Sequence, residues 1–316
     1  MPNTGCIAFD LRKELPQTVE SDAFKWSVRE IAPCPNADNL GTNKNRCFIL
    51  TCQPKKVNRT LLWSCATTYA EGFTVLKTTF DQLSTEQYID TGHEPVRRVF
   101  VTSVKSVSID FSDPENSLIQ DKSDAVKVKV DGADLWLSKE VLSSNSPFFD
   151  SIFNGDCKEN ATNSHALDGV KLEDFILFVG YIHGIVSVGE KNVAILMKLA
   201  NDYECKNVMD GCVQFLRIDG GLLGPAFKEI LNLQRDRRLH KVPVVKKIHL
   251  AEKFQLRQLL MELLRSMSYG ELKCLPWRYI EAYGTELSAE TLRLREVRIS
   301  VFGSDGTDHV DALPRF

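Results

Sequence analysis

The sequence predicts an α+β protein with an N-terminal antiparallel β-sandwich-like unit, a middle unit of short strands plus a helical cluster, and a C-terminal helical extension. Three observations carry this. Residues 24–111 hold short β-rich runs divided by polar or Pro/Gly breakers. Asp113-Pro114-Glu115-Asn116 then interrupts the chain, and beyond it one hairpin pattern gives way to apolar stripes of helical period. The 316 residues also exceed the ~100–200 of a single domain, so two or three units are expected.

Residues 1 to about 22 carry few apolar anchors and read as a loose arm, ahead of a β-rich domain over 23–112. In that domain Cys47-Phe48-Ile49-Leu50, Leu61-Leu62-Trp63 and Phe73-Thr74-Val75-Leu76 read as strands. Val99, Val101, Val107, Ile109 and Phe111 share odd numbering, which places them on one face of an extended segment. After the breaker, Val126, Val128 and Val130 alternate with Lys127 and Lys129. Asp131-Gly132 signals a turn, and Leu135-Trp136-Leu137 resumes the strand. Ser138 can cap a short helix through Leu142. Ser146-Pro147 can start the next, because proline's missing N–H is an orphan in a first turn anyway. Its cluster of Phe148, Phe149 and Phe153 reads as core.

Helical stripes follow at Phe175/Phe178/Val179/Ile182, Leu196/Leu199/Ala200/Tyr203 and Val208/Cys212/Phe215. Gly220-Gly221 and Gly224-Pro225 mark a break. Three more helices are expected, with stripes Leu223/Phe227/Ile230, Val244/Ile248/Ala251 and Leu260/Leu263/Leu264/Met267. The helical extension is bounded at 221–285, with a tail over 286–316 that holds one strand pattern, Val297/Ile299/Val301. Residues 193–216 and 244–267 superpose at an offset of 51, each reading as helix, tight bend near Glu204 or Gln255, and helix. Two readings stand: a general likeness of amphipathic helix pairs, or a repeated helical hairpin.

Composition excludes several function classes. With 42 acidic and 39 basic side chains the net charge is −3, which rules out a whole-chain polycation built for nucleic acid. A 43% hydrophobic content rules out a largely disordered chain. No apolar run reaches the ~18 residues of a membrane helix; Phe175 to Val188 is broken by Gly180, His183 and Gly184. The opening MPNTGCIAFDLRKEL lacks a signal-peptide core, so the nine cysteines, without paired spacing, are expected to be reduced thiols in a cytoplasmic or nuclear protein. Phosphate-cradling, nucleophile-elbow and zinc-protease motifs are all absent, so no catalytic residue and no cofactor are expected. His183, Cys205 and Cys212 could be imagined as metal ligands, but the two cysteines face Leu256 and Leu263 in the internal echo, which favours core thiols.

Ser123 to Leu216 resembles a BTB/POZ domain. Ser123-Asp124-Ala125-Val126 resembles the family's opening strand, and Leu135 to Leu142 its second strand and first helix. Ser143-Ser144-Asn145-Ser146-Pro147-Phe148-Phe149 matches the S-x-x-S-P-x-F signature. Phe153 matches the phenylalanine before an acidic loop, Leu199-Ala200-Asn201-Asp202-Tyr203 the L-A-x-x-Y/F helix, and Lys206 to Leu216 the final helix. The domain is placed at 118–219. Phe24-Lys25-Trp26-Ser27-Val28 resembles the opening strand of a MATH (TRAF-like) domain, although that domain's closing glycine-leucine segment and N-D pair are absent. The helices from 222 onward resemble the BACK-like box that follows many BTB domains.

The resemblance implies a non-catalytic adaptor, self-paired as a homodimer, that recruits protein substrates through residues 24–111 to a cullin-RING ubiquitin ligase. Cys157-Lys158-Glu159 resembles the φ-x-E motif of cullin-binding adaptors, giving Phe153, Cys157 and Glu159 as the cullin-binding set. The alternative is a solvent loop whose acidity only aids solubility. Leu137, Val141, Leu142 and Phe148 are candidate dimer contacts that could equally be core. Local charge opens an alternative. Residues 118–218 hold ten basic and fifteen acidic side chains, whereas 225–265 hold ten basic and four acidic. Arg235, Arg237, Arg238, Lys241, Lys246 and Lys247 crowd one bend, which reads either as a solvated helix face or as a polyanion patch. The latter would suit a BTB-mediated scaffold or transcriptional co-factor that binds no cullin.

Overall fold

A computed structural model describes residues 6–21, 23–31, 47–71, 74–90, 98–154, 164–219 and 242–305. The chain divides into two units, Met1–Ser187 and Val188–Phe316.

The first unit begins with eight strands: β1 (Cys6–Asp10), β2 (Gln17–Glu20), β3 (Phe24–Ile31), β4 (Cys47–Pro54), β5 (Leu61–Glu71), β6 (Thr74–Asp81), β7 (Glu86–Asp90) and β8 (Arg98–Asp110). They form two four-stranded sheets, β1-β8-β5-β6 and β2-β3-β4-β7, in which every pairing is antiparallel. Period-two alternation turns Phe24, Trp26 and Val28 of one sheet toward Trp63, Cys65 and Phe80 of the other, all in one buried cluster. Phe24 meets Trp63 at 5.7 Å between ring centroids, and Trp26 meets Phe80 edge-on at 5.4 Å. This is the predicted sandwich.

Two expectations fail here. Residues 6–21 of the expected loose arm are ordered: β1 pairs with β8, β2 pairs with β3, and Ile7, Phe9 and Leu11 enter the sandwich core. Alternation too short to register as a strand alone is completed by pairing with a long neighbour. The odd-numbered residues of β8 do not share a face. The β5–β8 register shifts between Ala66 and Thr67, from Lys105 to Ser103, so Val104 is an extra residue that flips the side chains beyond it. Val99 and Val101 lie in the sandwich cluster, whereas buried Ile109, opposite Leu62, lies outside it.

A third sheet, of three strands, follows: β9 (Ala125–Val130), β10 (Ala133–Ser138) and β11 (Ser164–Leu167), in the order β10-β9-β11. The β9–β10 hairpin turns at Asp131 and Gly132, with φ of 47° and 78°, the double positive φ that the Asp-Gly pair favours. Helices α1 (Lys139–Asn145) and α2 (Pro147–Asn154) lie between β10 and β11 in the chain, and α3 (Leu172–Ile182) follows β11. Helix α3 packs closely on the sandwich: a Cβ at Gly180 would lie 3.0 Å from both Leu62 methyls and 2.8 Å from Val186 Cγ2. Only glycine fits that approach.

The second unit is helical: α4 (Val193–Asp202), α5 (Lys206–Asp219), α6 (Val244–Lys253), α7 (Arg257–Ser266), α8 (Tyr269–Tyr283) and α9 (Ala289–Asp305). The predicted echo is a real repeat of local structure. Each of α4, α6, α5 and α7 starts at the partner position 51 residues away, and the bends sit at Glu204 and Gln255, with φ of 54° and 55°. Both bends close by the same pair of bonds: Cys205 N to Ala200 O (2.7 Å) with Glu204 N to Asn201 O (3.4 Å), and Leu256 N to Ala251 O (2.8 Å) with Gln255 N to Glu252 O (3.1 Å). This is the Schellman stop, here with non-glycine residues in the left-handed position.

The strand expected at Val297/Ile299/Val301 is instead the middle of α9, and the helical region runs past 285 into the predicted tail. The β-branched run lost to tertiary packing, which overrides local propensity. The stripe Leu223/Phe227/Ile230 lies outside the described residues.

Candidate interaction surface

The first helical pair after the hairpin is built by two side-chain caps. Ser138 Oγ accepts from Val141 N (3.1 Å) and donates to Asp124, whose other carboxylate oxygen accepts from Glu140 N (2.6 Å). Ser146 Oγ accepts from Phe149 N (3.1 Å) just before Pro147 opens α2. Each serine read from the sequence as a helix start therefore is one, and Asp124 ties the start of β9 to the start of α1. Below α2 a chain of rings forms the local core. Phe149 stacks with Phe153 at 5.8 Å, Phe153 meets His165 at 5.1 Å, and Phe149 meets Phe175 at 6.4 Å.

This geometry sorts the predicted site residues. Phe153, placed in the cullin-binding set, is 4% exposed and lies within the ring chain. Cys157 and Glu159 lie outside the described residues. Among the predicted dimer contacts, Leu137 and Leu142 are buried within the protomer's own core, while Val141 and Phe148 remain partly exposed. Leu137 alternates inward with Leu135 on β10, and Leu142 is the one fully buried residue of α1, which explains the split.

One residue of the basic bend, Lys247, is corrected. Lys247 is buried, and its ammonium donates to Leu216 O at 3.1 Å, one of the carbonyls that the end of α5 leaves without a helical donor. It falls on the inward stripe of α6 with Ile248, Leu250 and Ala251. Lys246 is half-buried and donates to Glu190 O at 3.3 Å. Arg235, Arg237, Arg238 and Lys241 lie outside the described residues.

The imagined metal ligands behave as core thiols. Cys205 and Cys212 are both buried, and burial pushes the Cys212 thiol up to about 12. Among the described residues no group of three or more His, Cys, Asp or Glu side chains is placed to hold a metal ion, and no helix is long and apolar enough to cross a membrane.

One exposed feature was missed. Trp277 and Ile280, on α8, are 65% and 45% exposed. None of the apolar stripes expected over 221–285 reaches this helix, whose interior holds Pro276. The signals that bracket α8 were nevertheless present. Ser268 and Glu271 form a capping box, and Gly284 ends the helix at φ 67°.

Comparison with known proteins agrees with the strand–helix reading. The BTB/POZ domain family matches residues 118–219. Kelch repeat and BTB domain-containing protein 4 of Homo sapiens is 30% identical over 92 residues, which is 29% of this chain and 17% of that protein. The Pongo abelii protein of the same name is also 30% identical, over 29% of this chain and 18% of its own length. The chain thus spans less than a fifth of the curated relatives it matches. Among solved structures, the BTB (Tramtrack and Bric a brac) domain of human Gigaxonin is similar at 19% identity, covering 28% of this chain and 75% of that one with a TM-score of 0.26. By its family match and its quoted motifs, residues 118–219 are a BTB/POZ domain.

Proposed function

We propose that the chain is a protein-interaction adaptor that pairs with itself and brings protein substrates to a cullin-RING ubiquitin ligase in the cytoplasm or nucleus. The observation that carries this reading is the BTB/POZ match over residues 118–219, a domain type that works through protein contacts. Cys157 and Glu159, beyond the end of α2, offer the cullin a small apolar side chain and a rim carboxylate. Phe153 anchors the helix that leads to them. Val141 and Phe148 are the self-pairing residues that remain at the surface. Substrates are held by residues 24–111, which with β1 and β2 form the sandwich. Its two antiparallel four-stranded sheets support a MATH-type reading, as does the inward Phe24/Trp26/Val28 row. The ligase partner supplies the bond chemistry, and the adaptor's share is positioning. The alternative, a scaffold or transcriptional co-factor, leans on the basic bend and is weakened by the burial of Lys247.

The test is co-purification with a cullin. Glu159→Lys reverses the rim charge and is expected to abolish it while the melting temperature stays unchanged. Undiminished cullin recovery with this variant would overturn the docking claim.

A further inference from the structure

Among the described residues nothing covers the outward face of helix α8, which is self-complementary about Trp277. Counting four residues back from Trp277 gives Lys273, and four forward gives Glu281, both exposed. Counting three back gives Cys274, and three forward gives Ile280, again both exposed. Residues three and four apart share one helix face, so these five side chains form a single stripe with opposite charges at its two ends. Seven residues out on either side stand Gly270 and Gly284, and nothing lies within 4 Å of where a Cβ would sit at either one. Lys273 Nζ lies over the Tyr269 ring at 4.6 Å, and Glu281 has no ion pair among the described residues.

We propose that this face pairs two copies of the chain, α8 against α8, antiparallel about a two-fold axis through Trp277. The operation places Lys273 of each copy against Glu281 of the other, and Cys274 against Ile280. It buries both tryptophans at the centre, where aromatic anchors contribute most. A parallel arrangement would set Lys273 against Lys273 and Glu281 against Glu281, so the charges select the antiparallel one. The glycines let the ends of the two helices approach closely. A fifteen-residue helix is only about 22 Å long, so the contact is small and the expected affinity is weak, on the order of 10 μM. This surface is separate from the BTB residues Val141 and Phe148, and the inference does not depend on the adaptor reading.

Sedimentation velocity of the full chain over a wide concentration range tests it. Lys273→Glu and Glu281→Lys should each weaken self-association about tenfold by placing like charges opposite one another, and the double variant should restore it. Pairing through the BTB domain would respond to neither single variant. Trp277→Asp should remove the association while leaving the melting temperature within a few degrees, because the side chain it replaces is exposed. A concentration dependence untouched by these variants, or a double variant that fails to restore pairing, overturns the proposal. So does a face that captures lipid or a different protein with no self-association.

Discussion

Pro276 sits inside α8, where a residue able to donate would give its N–H to the carbonyl of Leu272. Proline cannot, yet that carbonyl is not orphaned: Arg295 of α9 donates to it through Nε at 2.6 Å, and its Nη2 reaches Lys273 O at 3.4 Å. The guanidinium thus replaces the hydrogen bond that the proline removes, and joins the last two helices. Arg295→Ala should therefore expose the defect. Leu272 is fully buried, so its carbonyl would lose a charge-assisted bond with little water to replace it, a cost of about 1.5–2 kcal/mol. In a Pro276→Ala background the backbone N–H returns and Arg295 becomes nearly redundant, so the same substitution should cost only about 0.5 kcal/mol. The coupling between the two sites is then about 1–1.5 kcal/mol, near the tenfold step in an equilibrium constant. Hydrogen exchange of the α8 amides reads this locally, which matters in a chain of two units where one global unfolding energy is ill-defined. Arg295→Ala should speed exchange in α8 about 10- to 30-fold in the native sequence and about twofold with Pro276→Ala. An equal effect in both backgrounds would refute the compensation.

Two further predictions concern the turns. Asp110 closes the end of β8. Burial raises its pKa, but this is outweighed by hydrogen bonds from Thr60 (2.7 Å), Ser112 (2.7 Å) and Asn58 (2.5 Å), which hold the carboxyl below its ordinary range. A carboxyl with a depressed folded pKa stabilises the fold above its unfolded value of about 3.9 and loses that contribution as pH falls through the folded one. The melting difference between the native chain and Asp110→Asn should thus hold steady from pH 7 to about 5 and shrink below about 4; a constant gap throughout would sink the account. At the paired bends, Glu204→Gly and Gln255→Gly should each add about 0.5–1 kcal/mol in chemical denaturation, because glycine carries no steric penalty in the left-handed region. Opposite signs at the two sites would break the claim that they are one structure repeated.

Much of the fold was legible because local signals agreed with tertiary ones. Asp131-Gly132, Ser138 and Ser146-Pro147 each specify a turn or cap through chemistry confined to a few residues, and each is where the sequence put it. The offset of 51 worked for the same reason: a helix stop is written in a few residues, and both copies carry it. Failures came where a distant partner decides. The bulge at Val104 is set by pairing with β5, and no pattern in β8 alone announces it. Lys247 is charged, yet the carbonyl of Leu216, thirty-one residues earlier, makes a buried ammonium tolerable. The site was legible as a family signature, but the sequence could not separate Leu137 and Leu142 from Val141 and Phe148. Both pairs are apolar, and only the packed sheet and helix decide which side faces inward.

The link between sandwich and BTB sheet bears directly on the proposed adaptor role. Asp113-Pro114-Glu115-Asn116 reads as a breaker, which could have meant a tether. Instead Trp136 N donates to Phe111 O at 2.8 Å, and Trp136 O accepts from Asn116 Nδ2 at 3.0 Å. Asn116 is itself buried and also donates to Asp113 O at 2.9 Å. The connection thus lies along the outer edge of β10 and satisfies backbone groups that would otherwise face water or a foreign strand. Swinging the sandwich away would break both Trp136 bonds and open the packing of Leu62 on Gly180. An adaptor on a flexible linker presents its cargo at an effective concentration diluted over the volume the linker sweeps. One held by an ordered edge presents it at a fixed distance and orientation, and that geometry is all that a non-catalytic partner can contribute to another protein's reaction.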